Sequence, residues 1–153
     1  MSRPFLVRRL RPADLDRILE IEHASFGKDA YDRNLFAEYY RKCGELFLVA
    51  VRGRRICGYA VTSIRSGSPA AEVISIAIDP AAREKGAASA LMTSTIRRLR
   101  RRGISRLTLM VKWTNKPARR FYEKWGFTKV RRVKGYYEDG KDGIRMALQL
   151  HRP

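Results

Sequence analysis

The residues of this chain best suited to chemistry fall in two stretches. In the first, Ile74–Leu91 (ISIAIDPAAREKGAASAL), a β-branched apolar run ends in a loop with Arg83, Lys85, Gly86, Ala87 and Ala88, then passes into a helical pattern. Small residues let backbone N–H groups approach an anion closely, and a helix N-terminus adds partial positive charge, so this stretch can cradle a pyrophosphate. It is neither a P-loop, which needs GxxxxGK followed by Ser or Thr, nor a GxGxxG dinucleotide loop, and a plain strand-to-helix turn would use the same residues. The second stretch, Asn115–Phe127, gathers Phe121, Tyr122 and Trp125. A tyrosine hydroxyl there can act as a general acid, or its ring can pack a core. Glu72 opens the apolar run and can take a proton from an amine, or stand as a solvated charge at a strand end. His23 has no motif behind it and is given no role. Cys43 and Cys57 form no CxxC, and with two histidines they are too few for a familiar zinc site, so no metal is expected.

Positioning these residues requires an α/β (α+β) fold. Phe5–Leu10 reads as a short strand. A helix follows from Arg11-Pro12-Ala13-Asp14, with Pro in its first turn and Leu15, Ile18, Leu19 and Glu22 at helical spacing. A second helix fits residues 32–42. Glu45–Val51, a turn at Gly53, and Ile56–Ile64 read as a hairpin, and RSGSP over Arg65–Pro69 as a loop. Glu72–Ile78 reads as a strand buried on both faces, ending at Asp79-Pro80. Ala88–Arg102 is helical, with Leu91, Met92, Thr95, Ile96 and Leu99 on one face, Arg97, Arg100 and Arg101 away from it, and Gly103 as its stop. Ser105–Val111, Phe127–Val133 and Ile144–Leu150 are strands, and Pro117–Trp125 is a helix. The order is βααβββαβαββ, and its central strand–helix–strand crossover implies a mixed, mostly antiparallel sheet flanked by helices.

At 153 residues, with 44% hydrophobic, the chain is expected to be one domain spanning 1–153, and general disorder is excluded. Lys and Arg number 33 against 15 Asp and Glu, a net charge of +18 that favours an anionic contact: a phosphorylated cofactor, a ribosome or other nucleic acid, or an acidic polypeptide. The cluster Arg97, Arg98, Arg100, Arg101, Arg102 and Arg106 reads first as a solvated helix face and otherwise as an electrostatic dock. No interleaved aromatic platform supports base readout, so direct nucleic-acid binding has no motif. The start, Met1-Ser2-Arg3-Pro4, leads into no apolar h-region, and no window approaches 18 apolar residues. A cytoplasmic protein without a membrane span is expected.

Two spaced motifs resemble those of the GNAT acetyltransferase superfamily. Residues 72–80 and 83–91 resemble its motif A, with R/Q-x-x-G-x-G/A standing as Arg83, Gly86 and Ala88. Asn115–Phe127 resembles N-x-x-A-x-x-x-Y-x-x-x-G-F. Within the superfamily the chain is most similar to the ribosomal-protein-alanine N-acetyltransferases and related N-terminal acetyltransferases. Ile21-Glu22-His23-Ala24-Ser25-Phe26, Tyr136-Tyr137, Asp142 and Met146 support that likeness.

The resemblance implies that backbone groups of Ile76, Ala77 and Ile78 pair with the pantetheine arm of acetyl-CoA, as an added strand would. It implies that Arg83, Glu84, Lys85, Gly86, Ala87 and Ala88 hold the pyrophosphate, that Asn115 touches the cofactor, and that Tyr122 protonates the leaving thiolate. Where those relatives carry a Glu as general base in an L-E-V-R run, this chain has Leu109-Met110-Val111-Lys112, and methionine accepts no proton. Glu72 is the replacement, because Ala71–Ile78 also resembles the histone-lysine acetyltransferase strand whose base is a Glu at that place. Tyr31 takes the aromatic place of the acceptor loop, within Asp29-Ala30-Tyr31-Asp32. Tyr136 and Tyr137 either line the acceptor groove or pack their hairpin. The implied activity is acetyl transfer to an amine by direct attack in a ternary complex. The acceptor would be a protein N-terminus or lysine, on a ribosomal or acidic partner. Two alternatives stand beside it: a small-molecule amine acetyltransferase, and a basic ribosome- or RNA-binding module that keeps the fold and has lost catalysis.

Overall fold

The computed structural model describes residues 4–83 and 86–151. Its order is β1 (Leu6–Arg9), α1 (Leu15–Phe26), α2 (Arg33–Cys43), β2 (Phe47–Arg52), β3 (Arg55–Ile64), β4 (Ala70–Ile78), α3 (Ala87–Arg101), β5 (Arg106–Lys112), α4 (Lys116–Lys124), β6 (Thr128–Val133) and β7 (Gly143–Gln149). The expected succession βααβββαβαββ is the observed one. One sheet runs β1-β2-β3-β4-β5-β7-β6 and is antiparallel in every recorded pairing except β4 with β5, which is parallel. Among the described residues, no helix is long and apolar enough to cross a membrane.

Local chemistry sets the helix starts. Before α1, the Asp14 carboxylate accepts from the backbone N–H of Arg11 at 2.8 Å and from the Arg8 guanidinium at 2.8 Å. Asp32 caps α2 by accepting from Leu35 N at 2.9 Å, and Asn115 caps α4 by accepting from Ala118 N at 3.2 Å. Removing such a cap costs about 1 kcal/mol.

The chain forms two compact units, Met1–Ser63 with Ile74–Arg98, and Ile64–Val73 with Leu99–Pro153. In the first, β2 and β3 carry apolar side chains on both faces. On one face Phe47, Val49, Tyr59, Val61 and Ala77 meet Ile18 and Ile21 of α1 and Phe36 of α2. Phe36 is fully buried and sits edge-on to Phe47 and Tyr59, with ring centroids 5.7 and 5.6 Å away. On the other face Leu48, Ala50 and Ala60 meet Ala87 and Leu91 of α3. In the second unit, β4 pairs with β5 over Ala70–Glu72, β5 pairs with β7 along its whole length, and β6 forms the edge.

Two expectations need correction. Strand β4 is not buried on both faces. Ala71, Val73, Ser75 and Ala77 are buried, whereas Glu72, Ile74, Ile76 and Ile78 are half-buried. Side chains alternate across a strand, and Ile76 and Ile78 are only partly covered by the cluster they pack against, made of Leu48, Ala50, Ala60, Ala87 and Leu91. Nor does Arg100 face away from the packed side: it is half-buried with its Nε enclosed, while Arg97 and Arg101 are exposed.

Gly58 of β3 explains how the end of β4 is held. A Cβ there would lie 2.9 Å from the Ala77 carbonyl oxygen and 2.5 Å from Ile78 Cδ1. The backbone oxygen cannot yield as a flexible side chain could. Gly58→Ala is therefore expected to destabilise the protein by about 1–3 kcal/mol, measured by urea unfolding. An unchanged midpoint would show that β4 can shift freely.

Candidate active site

In the first unit, β4 delivers Ile76, Ala77 and Ile78 to a tightly pinned corner. Asp79 N donates to the Cys57 carbonyl at 2.7 Å. The Asp79 carboxylate accepts from Ala81 N at 3.0 Å, from Arg55 at 3.1 Å and from Arg17, which also donates to the Ile56 carbonyl at 3.1 Å. The Ala81 N–H, seconded by the Arg17 and Arg55 guanidiniums, holds the Asp79 carboxyl at about 2, below its ordinary 3.8.

Because the folded-state value is the depressed one, this corner stabilises the protein fully above pH 3.8, and the contribution fades as pH falls toward 2. Asp79→Asn should accordingly lie well below the parent in stability near about pH 5 and approach it near about pH 2.5, followed by urea titration at each pH. A gap that stays constant with pH would contradict the ion-paired corner.

Beyond the corner, Arg83 is exposed, Glu84 and Lys85 lie outside the described residues, and α3 starts at Ala87. Gly86 has φ 97°, a conformation that side chains strain to adopt, and among the described residues no heavy atom beyond its chain neighbours lies within 4 Å of the place its Cβ would take. Ala87 is buried, Ala88 half-buried, and the Ala90 N–H donates to the Gly86 carbonyl at 3.0 Å. An open, Cβ-free approach to a helix start suits an anion. Tyr31, between α1 and α2, is half-buried and edge-on to Phe36 at 6.0 Å.

In the second unit, Tyr122 is 8% exposed and packs edge-on to Phe121 at 5.5 Å and Phe127 at 5.6 Å. Burial, helped by Tyr137, pushes its hydroxyl well above the ordinary phenol value, so the proton is retained. Asn115 spends its side-chain oxygen on the cap of α4. The Glu72 side chain is 41% exposed and pairs with Arg145 of β7 at 3.5 Å. Met110, at the place expected of a base, lies over Gly143, where a Cβ would meet its sulfur at 2.8 Å. Asp142 shapes the β6–β7 hairpin, accepting from Gly135 N at 2.9 Å and Arg132 Nε at 2.5 Å. On that hairpin Tyr136 is 49% exposed, and its ring centroid lies 5.0 Å from that of Tyr137.

Comparison with known proteins gives this arrangement its context. The acetyltransferase (GNAT) family pattern matches residues 14–127. The chain belongs to the GNAT acetyltransferase family. This GNAT chain is similar to an N-alpha-acetyltransferase of Saccharolobus solfataricus, with 31% identity over 97% of the chain and 95% of the relative. It is 30% identical to the ribosomal protein bS18-alanine N-acetyltransferase of Haemophilus ducreyi, over 95% of the chain and all of the relative. Among solved structures, Ard1 from Thermoplasma volcanium superposes with a TM-score of 0.93 at 26% identity, covering 98% of this chain and 100% of that one. The protein is thus an enzyme, an N-acetyltransferase of the GNAT fold.

Three residues that matter in this GNAT chain carry no role in the sequence reading: Glu22, Gly58 and Asp79. Glu22 had two signals: its charge at helical spacing from Ile18 and Ile21 on the apolar face of α1, and its place in the run Ile21–Phe26 that supports the family likeness. Asp79 reads only as the stop of a strand. Nothing in the sequence marks Gly58.

Proposed function

We propose that this enzyme, one N-acetyltransferase domain over 1–153, transfers the acetyl group of acetyl-CoA to the α-amine of protein N-termini in the cytoplasm. The observation that carries this reading is full-length similarity to relatives named for N-terminal acetylation, one for a ribosomal protein. Two free thiols, Cys43 and Cys57, suit a reducing compartment. The surplus of 33 Lys and Arg over 15 Asp and Glu favours a ribosomal or acidic protein partner and disfavours cationic polyamines.

Ile76, Ala77 and Ile78 offer backbone groups to the pantetheine arm, Arg83 to Ala88 hold the pyrophosphate, and Asn115 adds a contact. When bound, acetyl-CoA supplies an acetyl thioester that an amine attacks directly. Tyr122 keeps a proton at its hydroxyl for the departing thiolate, and its retained proton supports this role. Glu72 takes the proton of the attacking amine, directly or through one water. Tyr31, Tyr136 and Tyr137 fix the acceptor backbone. Since Met110 is apolar, Glu72→Gln is expected to lower kcat with little change in acceptor KM and to flatten the rising limb of the pH–rate profile. A variant with parental rate and profile would remove Glu72 from the chemistry.

The test is release of free thiol from acetyl-CoA over peptides with open or blocked N-termini. Release that requires the open N-terminus supports the function; release driven equally by polyamines overturns it.

A further inference from the structure

The first unit buries a carboxylate on the apolar face of α1. Glu22, on the face of α1 that carries Ile18 and Ile21, is 1% exposed. Its two oxygens serve different elements. Oε1 accepts from the Tyr59 hydroxyl of β3 and from Ser75 Oγ of β4, the latter at 2.9 Å, and those two hydroxyls lie 3.0 Å apart. Oε2 accepts from the backbone N–H of Tyr31 at 2.9 Å, in the segment between α1 and α2. Burial pushes the Glu22 carboxyl up, while the Tyr31 N–H, the Ser75 hydroxyl and His23 pull it back.

Desolvating a carboxylate is costly, and an apolar side chain of similar volume would fill such a site without that cost. The network is also oriented. One oxygen is spent on the sheet and the other on a loop, so a single rigid side chain spans the two. Ser75 directly precedes Ile76–Ile78, the stretch given above to the pantetheine arm, and Tyr31 is the aromatic given to the acceptor.

We propose that Glu22 is a positioning residue of the transfer: it fixes the acceptor segment around Tyr31 against β3 and β4, and thereby sets the affinity for the acceptor peptide. The inference rests on the acceptor role assigned to Tyr31. Glu22 touches neither substrate; it acts through the Tyr31 backbone.

The chemistry of the three donors makes a specific prediction. Hydroxyls of Tyr59 and Ser75 can donate or accept, whereas the Tyr31 N–H can only donate. In Glu22→Gln the amide NH₂ therefore turns toward the hydroxyls and the amide oxygen keeps the Tyr31 bond. In Glu22→Met, which preserves bulk, the bond is lost. Glu22→Met is expected to raise acceptor-peptide KM by roughly tenfold or more, with calorimetric acetyl-CoA affinity unchanged, and Glu22→Gln to restore KM to near the parental value. Equal losses of both affinities, or failure of Gln to rescue, would overturn the role.

Should Glu22→Met not fold, Tyr59→Phe with Ser75→Ala releases the sheet anchor while keeping the loop bond, and it should raise acceptor KM in the same selective way. Amide hydrogen exchange at Ala30–Asp32 decides the matter without turnover. Exchange should speed in Glu22→Met and stay slow in Glu22→Gln, and unchanged exchange in Glu22→Met contradicts the positioning. If the parental enzyme acetylates no peptide, the function assignment fails, and the exchange result still judges Glu22 separately.

Discussion

Tyr122→Phe is expected to lower kcat by about 10²-fold or more while leaving acetyl-CoA affinity nearly unchanged. The substitution removes one oxygen and keeps the ring, so the edge-on packing with Phe121 and Phe127 survives. What disappears is a proton donor needed mainly as negative charge grows on the leaving sulfur. A buried phenol whose pKa lies well above ordinary is a weak acid in the ground state, and for that reason it holds its proton until a strong acceptor forms beside it. Steady-state kinetics together with calorimetry separate the two parameters. A kcat within about twofold of the parent would make Tyr122 a packing residue.

The second large effect is expected at Gly86. Gly86→Leu should abolish measurable acetyl-CoA binding in a chain that still folds. Two costs combine. With φ at 97°, any side chain strains the backbone by about 1–3 kcal/mol, and a leucine adds branches in space that is open around the Cβ position. Gly86→Ala imposes most of the strain with little of the bulk, so its loss of affinity should be clearly smaller. Calorimetry on both variants, with circular dichroism as the fold control, distinguishes a filled cradle from a merely strained turn. Parental affinity in folded Gly86→Leu would remove this loop from the cofactor site.

Much of this fold is local and was therefore legible. Pro12 with Asp14 marks the start of the first helix through a bond to a neighbour three residues away, and the apolar spacing of Leu91, Met92, Ile96 and Leu99 marks the buried face of α3. Strand β4 misleads because an unbroken apolar run does not reveal which face other elements cover well, and its burial alternates along its length. Glu22 is hidden for a similar reason. Its hydroxyl partners lie 37 and 53 positions along the chain, so only the folded sheet brings them to one carboxylate. The close approach of Gly58 to Ala77 is equally non-local. The motif residues Arg83, Gly86, Ala88, Asn115 and Tyr122 were legible as types at fixed spacing, which sequence displays directly.

The central claim, acetyl transfer to a protein α-amine, is tested most directly by locating the acetyl group. A peptide with a free N-terminus and an internal lysine is incubated with the enzyme and acetyl-CoA, and the product is mapped by tandem mass spectrometry. The account predicts one acetyl on the α-amine, matched by one thiol released. Acetyl on the lysine alone, or thiol release with an unmodified peptide, would contradict it.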